Sequence, residues 1–169
     1  MLTTSGREAI IVLFTSYSSA DANSILKMLS DHTDYAPETV PSSESLSDTE
    51  YFQDAYINEQ HSGYTYVLKE DGGEVKVFAT LAKWHEQADV NCWYVTSLFV
   101  GNVHNADELA LQMISELREV IAGDSLLYIN VHPDADFANC FWRSNGFHLS
   151  AEKSRYVNSD GDRLTAYTK

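Results

Sequence analysis

Basic residues are scarce in this chain of 169 residues: 11 Lys plus Arg stand against 25 Asp plus Glu, a formal net charge of −14. With a sequence pI near 4.6, a phosphate polymer would be repelled over most of the surface, which excludes direct binding of a nucleic-acid backbone. The same charge would suit an acidic imitator of DNA, a reading that requires carboxylates set in paired rows. A charge run is more often a solvated face. Cysteine is nearly absent. Cys92 and Cys140 are too few for a disulfide framework or a zinc ribbon. No apolar run approaches the roughly 18–20 residues that cross a bilayer, so no membrane association is expected. The first residues lack the basic start, apolar stretch and small-residue site of a signal peptide. These absences lead us to expect a soluble acidic protein of a reducing, cytoplasmic compartment, or of a particle assembled in one.

What is present suffices for a core: 44% of residues are hydrophobic and 12% aromatic, which excludes global disorder. The run 7–14 is apolar and β-branched and reads as a strand buried on both faces. Ser18, Ser19 and Asp21 offer capping groups for a helix over about 20–31. From Met28 to Leu68 there is no Lys or Arg, while eight acids occur. Pro37, Pro41 and nearby serines make the middle of that stretch a loop, and Ser47 with Glu50 forms an S-x-x-E box opening a short helix to about 60. The segment 31–62 thus reads as an acidic loop–helix insertion within a single domain, 1–169.

Strands over 63–70 and 74–84 flank Asp71-Gly72-Gly73, a hairpin signal. A third strand covers 92–100. The stripe Leu109, Met113, Ile114, Leu117, Val120 and Ile121 predicts a helix from Asn105 to about Ala122, with Gly123 as its terminating glycine. A buried strand over 126–131, a helix capped by Asp134 and ended by Asn145-Gly146, and a last hairpin around Ser159–Asp162 complete the chain. The expected fold class is α/β (α+β): a mixed, mostly antiparallel sheet with helices on both faces.

Residues 92–147 carry a more specific pattern. A strand ending Ser97-Leu98-Phe99-Val100 leads through a loop to a long amphipathic helix and a buried strand. A helix then follows with Ala138, Trp142 and Gly146-Phe147 at A-x-x-x-aromatic-x-x-x-Gly-Phe spacing. This pattern resembles the GNAT family of N-acetyltransferases. The resemblance implies that strands 92–100 and 126–131 lie side by side and part at their C-terminal ends, leaving a V-shaped cleft. It also implies acetyl-CoA as cofactor, its pyrophosphate held by amides at the N-terminus of the long helix.

The loop that would hold it departs from the family's pattern. After Phe99 and Val100, the matching positions are Asn105-Ala106-Asp107-Glu108-Leu109-Ala110. The family's cation is Asn105 and its first glycine is Glu108; only Ala110 fits. Asn105 and Glu108 have capping spacing, predicting that these side chains take the amides a phosphate would need. One carboxylate about 4 Å from a phosphate oxygen costs about 4 kcal/mol at an effective dielectric near 20, roughly a thousandfold in affinity.

The acid and base implied by the resemblance are missing as well. Its tyrosine acid is Trp142, and residues 92–100 contain no carboxylate. Tyr94 could substitute as acid and His85-Glu86 as base, although Tyr94 is expected to pack in the sheet and His85-Glu86 to end a strand. Six histidines are scattered without metal-ligand spacing. Asp160-Gly161-Asp162 is explained by a turn, and Cys140 is expected to be a buried, inert thiol.

Cys92–Ser97 and the elements after it also resemble acetyltransferase-like proteins of short-tailed bacteriophages, some of them internal virion proteins. The expected function is therefore a catalytically degenerate GNAT-fold protein, without cofactor or metal, that binds a protein partner or itself. The alternative is an active acetyl-CoA-dependent N-acetyltransferase with a non-standard loop. Residues 31–59 would form the larger share of an interface, with Tyr35, Tyr51, Phe52 and Tyr56 as aromatic anchors. Basic residues gather in 143–169, giving the molecule two electrically distinct ends.

Overall fold

The computed structural model describes residues 12–39, 46–58, 64–83, 92–121, 123–150, 154, 157–158 and 160–169. Its elements in chain order are β1 (Val12–Ser16), a 3-10 turn (Ser19–Asp21), α1 (Ala22–Leu29), β2 (His32–Asp34) and α2 (Asp48–Phe52). A wider π-type turn (Gln53–Asn58) follows, then β3 (Tyr64–Glu70), β4 (Val75–Lys83), β5 (Cys92–Gly101) and α3 (Ala106–Val120). The chain ends with β6 (Leu126–Val131), α4 (Asp136–Ser144), β7 (His148–Leu149) and β8 (Thr165–Thr168). One sheet runs β1-β3-β4-β5-β6-β8-β7, and β2 joins it at β5. Every pairing is antiparallel except β5 with β6.

Helices cover both faces. Leu109, Met113 and Leu117 of α3 and Trp142 of α4 pack with Val77, Ala79, Leu98 and Val100 on one face. Ile25, Met28 and Leu29 of α1 and Phe52 of α2 pack with Phe78 and Phe99 on the other. This two-sided burial explains why Leu98-Phe99-Val100 is an unbroken apolar run: alternate side chains of a central strand each find a hydrophobic layer. Each large apolar side chain so buried contributes about 1.5–3 kcal/mol.

The β3–β4 hairpin forms as its turn chemistry predicts. Gly73, at φ +85°, supplies the left-handed residue, and its N–H donates to the Glu70 carbonyl. Ser47 and Glu50 cap α2 reciprocally, Glu50 N–H to Ser47 Oγ at 3.2 Å and Ser47 N–H to Glu50 Oε2 at 2.9 Å.

Several expectations are corrected. The described part of the first strand, β1, is an edge strand with Leu13 half exposed, and it is not buried on both faces. The rest of 7–14 lies outside the described residues. α2 spans only Asp48–Phe52 before the chain widens into the π-type turn. The N-cap position of α4 is Ala135, and Asp134 instead donates its N–H to His132 Nδ1. α3 ends because Ile121 turns extended (φ −79°, ψ 154°), without a left-handed glycine at 123. Cys140 is exposed; Cys92 is the buried thiol. The largest departure lies inside the expected loop–helix insertion 31–62, where His32–Asp34 is a strand.

Candidate functional site: a filled cleft beside an acidic pocket

β5 pairs with β4 along its length, with one bulge at Thr96: Leu81 faces Val95 and Thr80 faces Ser97. On its other edge β5 pairs with β6 only over Cys92–Val95 and Leu126–Ile129. Beyond that point the two strands part, as expected. A splayed parallel pair leaves a row of N–H and C=O groups on the strand edge that must find partners.

Here the chain supplies the partners itself. β2 pairs with the freed edge in antiparallel register, Asp34 opposite Phe99, Thr33 opposite Val100 and His32 opposite Gly101. Tyr35 N–H then donates to the Leu98 carbonyl at 2.8 Å. At the far side of the opening, His132 N–H donates to the Pro37 carbonyl at 2.6 Å. The Trp142 indole Nε1–H donates to the Tyr35 carbonyl at 2.7 Å, and Asn158 Nδ2 donates to the Glu38 carbonyl at 2.6 Å. Residues 32–38 thus form a strap tied to β5, to the β6–α4 connection, to α4 and to the C-terminal loop. Tyr35 and Ala36 are each 1% exposed. The expected V is present as a parting of strands and is occupied by the strap.

The strap also reaches the N-terminus of α3, where Tyr35 OH donates to Asp107 Oδ1 at 2.6 Å. Burial and the Asp107 carboxylate push the Tyr35 phenol well above its ordinary range. Contrary to expectation, the Asn105 side chain caps nothing. Its backbone (φ −105°, ψ 29°) is not extended, so the side chain is not aimed back at the first-turn amides. Phe99, Val100 and Ala110 are core residues, Ala106 packs at the core's edge, and Asp107 and Glu108 are exposed. The cavity beside Asn105 measures about 60 Å³, below the roughly 300 Å³ at which small-molecule pockets begin.

On the α1/α2 face lies a larger cavity of about 330 Å³, lined by Asp34, Glu38, Asp48, Tyr51, Thr96 and Ser97 among others. Burial, reinforced by the Asp48 charge, pushes the Asp34 carboxyl up to about 8, although the Ala36 N–H and His32 pull it the other way. Burial alone pushes Glu38 up to about 7. His32 contacts Asp48 Oδ2 through Nε2 at 2.6 Å and the Leu29 carbonyl through Nδ1 at 3.0 Å. Burial lowers its pKa, but Asp48 and the carbonyl outweigh that, leaving it above the ordinary value.

The remaining sequence candidates are dispersed. Tyr94 is buried and stacked on Tyr128, ring centroids 5.5 Å apart, in a small cluster with Cys92 and Ala166. His85 and Glu86 lie outside the described residues. Phe52 is fully buried, Tyr56 is half-buried and stacked on it, and Tyr51 is 41% exposed. The strap's role was not readable from its composition; Pro37 and the acids around it signalled only a loop.

Solved structures share this architecture. The ribosomal-protein-S18-alanine N-acetyltransferase from Escherichia coli aligns with 93% of this chain and 90% of its own, at 16% identity and TM-score 0.52. A protein of Desulfovibrio desulfuricans assigned to the GNAT family aligns with 93% of this chain and 97% of its own, at 14% identity and TM-score 0.62. The chain has the GNAT fold. A Salmonella typhimurium protein solved with acetyl-CoA aligns with 93% of this GNAT-fold chain and 91% of its own, at 16% identity and TM-score 0.51. Neither a protein-family model nor a curated protein sequence matches the chain. Among the described residues no helix is long and apolar enough to cross a membrane, and no group of His, Cys, Asp and Glu could hold a metal ion.

Proposed function

We propose that this GNAT-fold protein does not transfer acetyl groups and serves as a protein-binding or assembly component, in the setting of a phage virion. The observation that carries the reading is the strap. The edge of β5 and the opening beside it, where a ligand with amide groups could pair, are taken by the chain's own residues 32–38. A cofactor entering there would first break the Tyr35–Leu98, Pro37–His132 and Tyr35–Trp142 hydrogen bonds and expose a buried tyrosine. Acidic Asp107 and Glu108 at the start of α3 oppose a phosphate at the same end. The virion setting rests on the likeness of Cys92–Ser97 and its following elements to phage acetyltransferase-like proteins.

The partner is a protein carrying basic residues, or a second copy. It would meet the exposed acids Glu50 and Asp54 on and beside α2. With Tyr35 and Phe52 inside the fold, Tyr51, Leu46 and Ile57 become the apolar contacts, at 41%, 60% and 46% exposure. A thermal-shift titration with acetyl-CoA tests the reading, and no shift is expected. A ligand at about 100 times its Kd adds roughly 2.7 kcal/mol, so a saturable rise in Tm would show that acetyl-CoA binds and would overturn the reading of the cleft as closed to it.

A further inference from the structure

The strap's backbone is well tied, but its side chains are poorly suited to permanent closure. Asp34 and Glu38 share their cavity with Asp48 of α2 and Asp160 of the C-terminal turn. β5 faces them with Thr96, Ser97 and Phe99, and α2 adds the Tyr51 phenol; no Lys or Arg among the described residues lines the cavity. The nearby His32 is committed to Asp48. Among the described residues Asp34 accepts one hydrogen bond, from Ala36 N–H at 2.9 Å. Glu38 Oε1 is enclosed with no hydrogen-bond partner among the described residues. Carboxyls crowded together without a cation keep protons that water would remove.

We infer that the strap is a proton-operated closure: with Asp34 and Glu38 protonated it stays seated between β5 and β6, and loss of both protons unseats it and bares the β5 edge from Leu98 to Gly101. This concerns regulation of the cleft discussed under the proposed function and rests on that reading only for the cleft's location.

The sign follows from where the protons are held. Once the strap is out, its carboxyls meet water and return to ordinary values near 4. Seated, they titrate at about 8 for Asp34 and about 7 for Glu38. The seated form therefore binds more protons, and rising pH favours the unseated one. Between about pH 5 and 7 each acid shifts the balance by up to about tenfold per pH unit. His32, whose value is also raised when seated, acts in the same direction.

Amide hydrogen exchange followed by NMR from pH 5 to 9, corrected for intrinsic rates, tests the closure. The probes are Tyr35 N–H, bonded to Leu98, and His132 N–H, bonded to Pro37; Phe78 on central β4 is the reference. Protection at the two strap probes should fall by about tenfold or more per pH unit between 5 and 7, with Phe78 retaining its own. Asp34→Asn with Glu38→Gln should flatten the dependence to the smaller step left by His32. Should that double variant not fold, Glu38→Gln alone must reduce the slope. Constant protection in the unaltered protein, equal loss at Phe78, or an unchanged slope in the variants would overturn the inference. None of these outcomes depends on acetyl-CoA binding.

Discussion

Trp142 stands in the last helix where the resemblance puts a proton-donating tyrosine, and its indole donates instead to the Tyr35 carbonyl at 2.7 Å. An N–H that cannot ionise in the accessible pH range is of no use as a catalytic acid and serves here only as a hydrogen-bond donor to the seated strap. Tyr35 repeats the point from the other end, its ring in the core and its hydroxyl on Asp107. Tyr35→Phe keeps the ring and removes that bond, so stability should fall by about 1 kcal/mol. For a domain of this size that is about 2–4 °C in Tm, readable by calorimetry. An unchanged Tm would mean that the hydroxyl does not tie the strap to α3. Asn105 teaches a different lesson. Its spacing to Glu108 looks like a capping box in the sequence, yet the backbone angle at one residue decides the matter, and no one-dimensional pattern records that angle.

At the level of elements, those with strong periodicity or turn chemistry were legible. The β3–β4 hairpin is announced by Asp71-Gly72-Gly73, and α3 by a stripe that the structure buries apart from Val120. β2 was not legible, because His32-Thr33-Asp34 has neither alternation nor apolar content. It is extended only because β5 offers an unpaired edge, a tertiary effect that outweighs local propensity. The capping groups before α1 were visible, but the partner of Asp21 was not: its side chain is 5% exposed and its carboxylate lies 3.2 Å from Lys69 Nζ on β3. This pair ties the start of α1 to the sheet. Lys69→Met should cost about 2 kcal/mol, less than the roughly 3–5 of a fully buried pair because Lys69 is partly solvated. Adding Asp21→Asn should recover part of the loss in urea titrations. If the double variant is no more stable than Lys69→Met alone, the carboxylate was not left stranded.

For the molecule as a whole, the fold class could be read from the order of elements, whereas the state of its cleft could not, because the strap and its partners are far apart along the chain. Tyr35 and Trp142 are separated by 107 residues, and Glu38 and Asn158 by 120. These separations set an order of assembly. The β3–β4 hairpin closes on its own turn within microseconds, while the strap has no complete seat until β5, β6, α4 and the C-terminal loop are in place. Long loops close at an entropic cost that only the finished contacts repay. Seating should therefore be the last event in refolding. In pulse-labelling experiments Tyr35 N–H should gain protection after Phe78, and simultaneous protection would refute the sequence of events. Until that last step the chain carries a naked strand edge on a central, largely buried strand, a surface that invites pairing with another copy. A strap that finishes the native molecule thus also ends its period of greatest danger during synthesis, so slowing its arrival should show first as aggregation rather than as a loss of native stability.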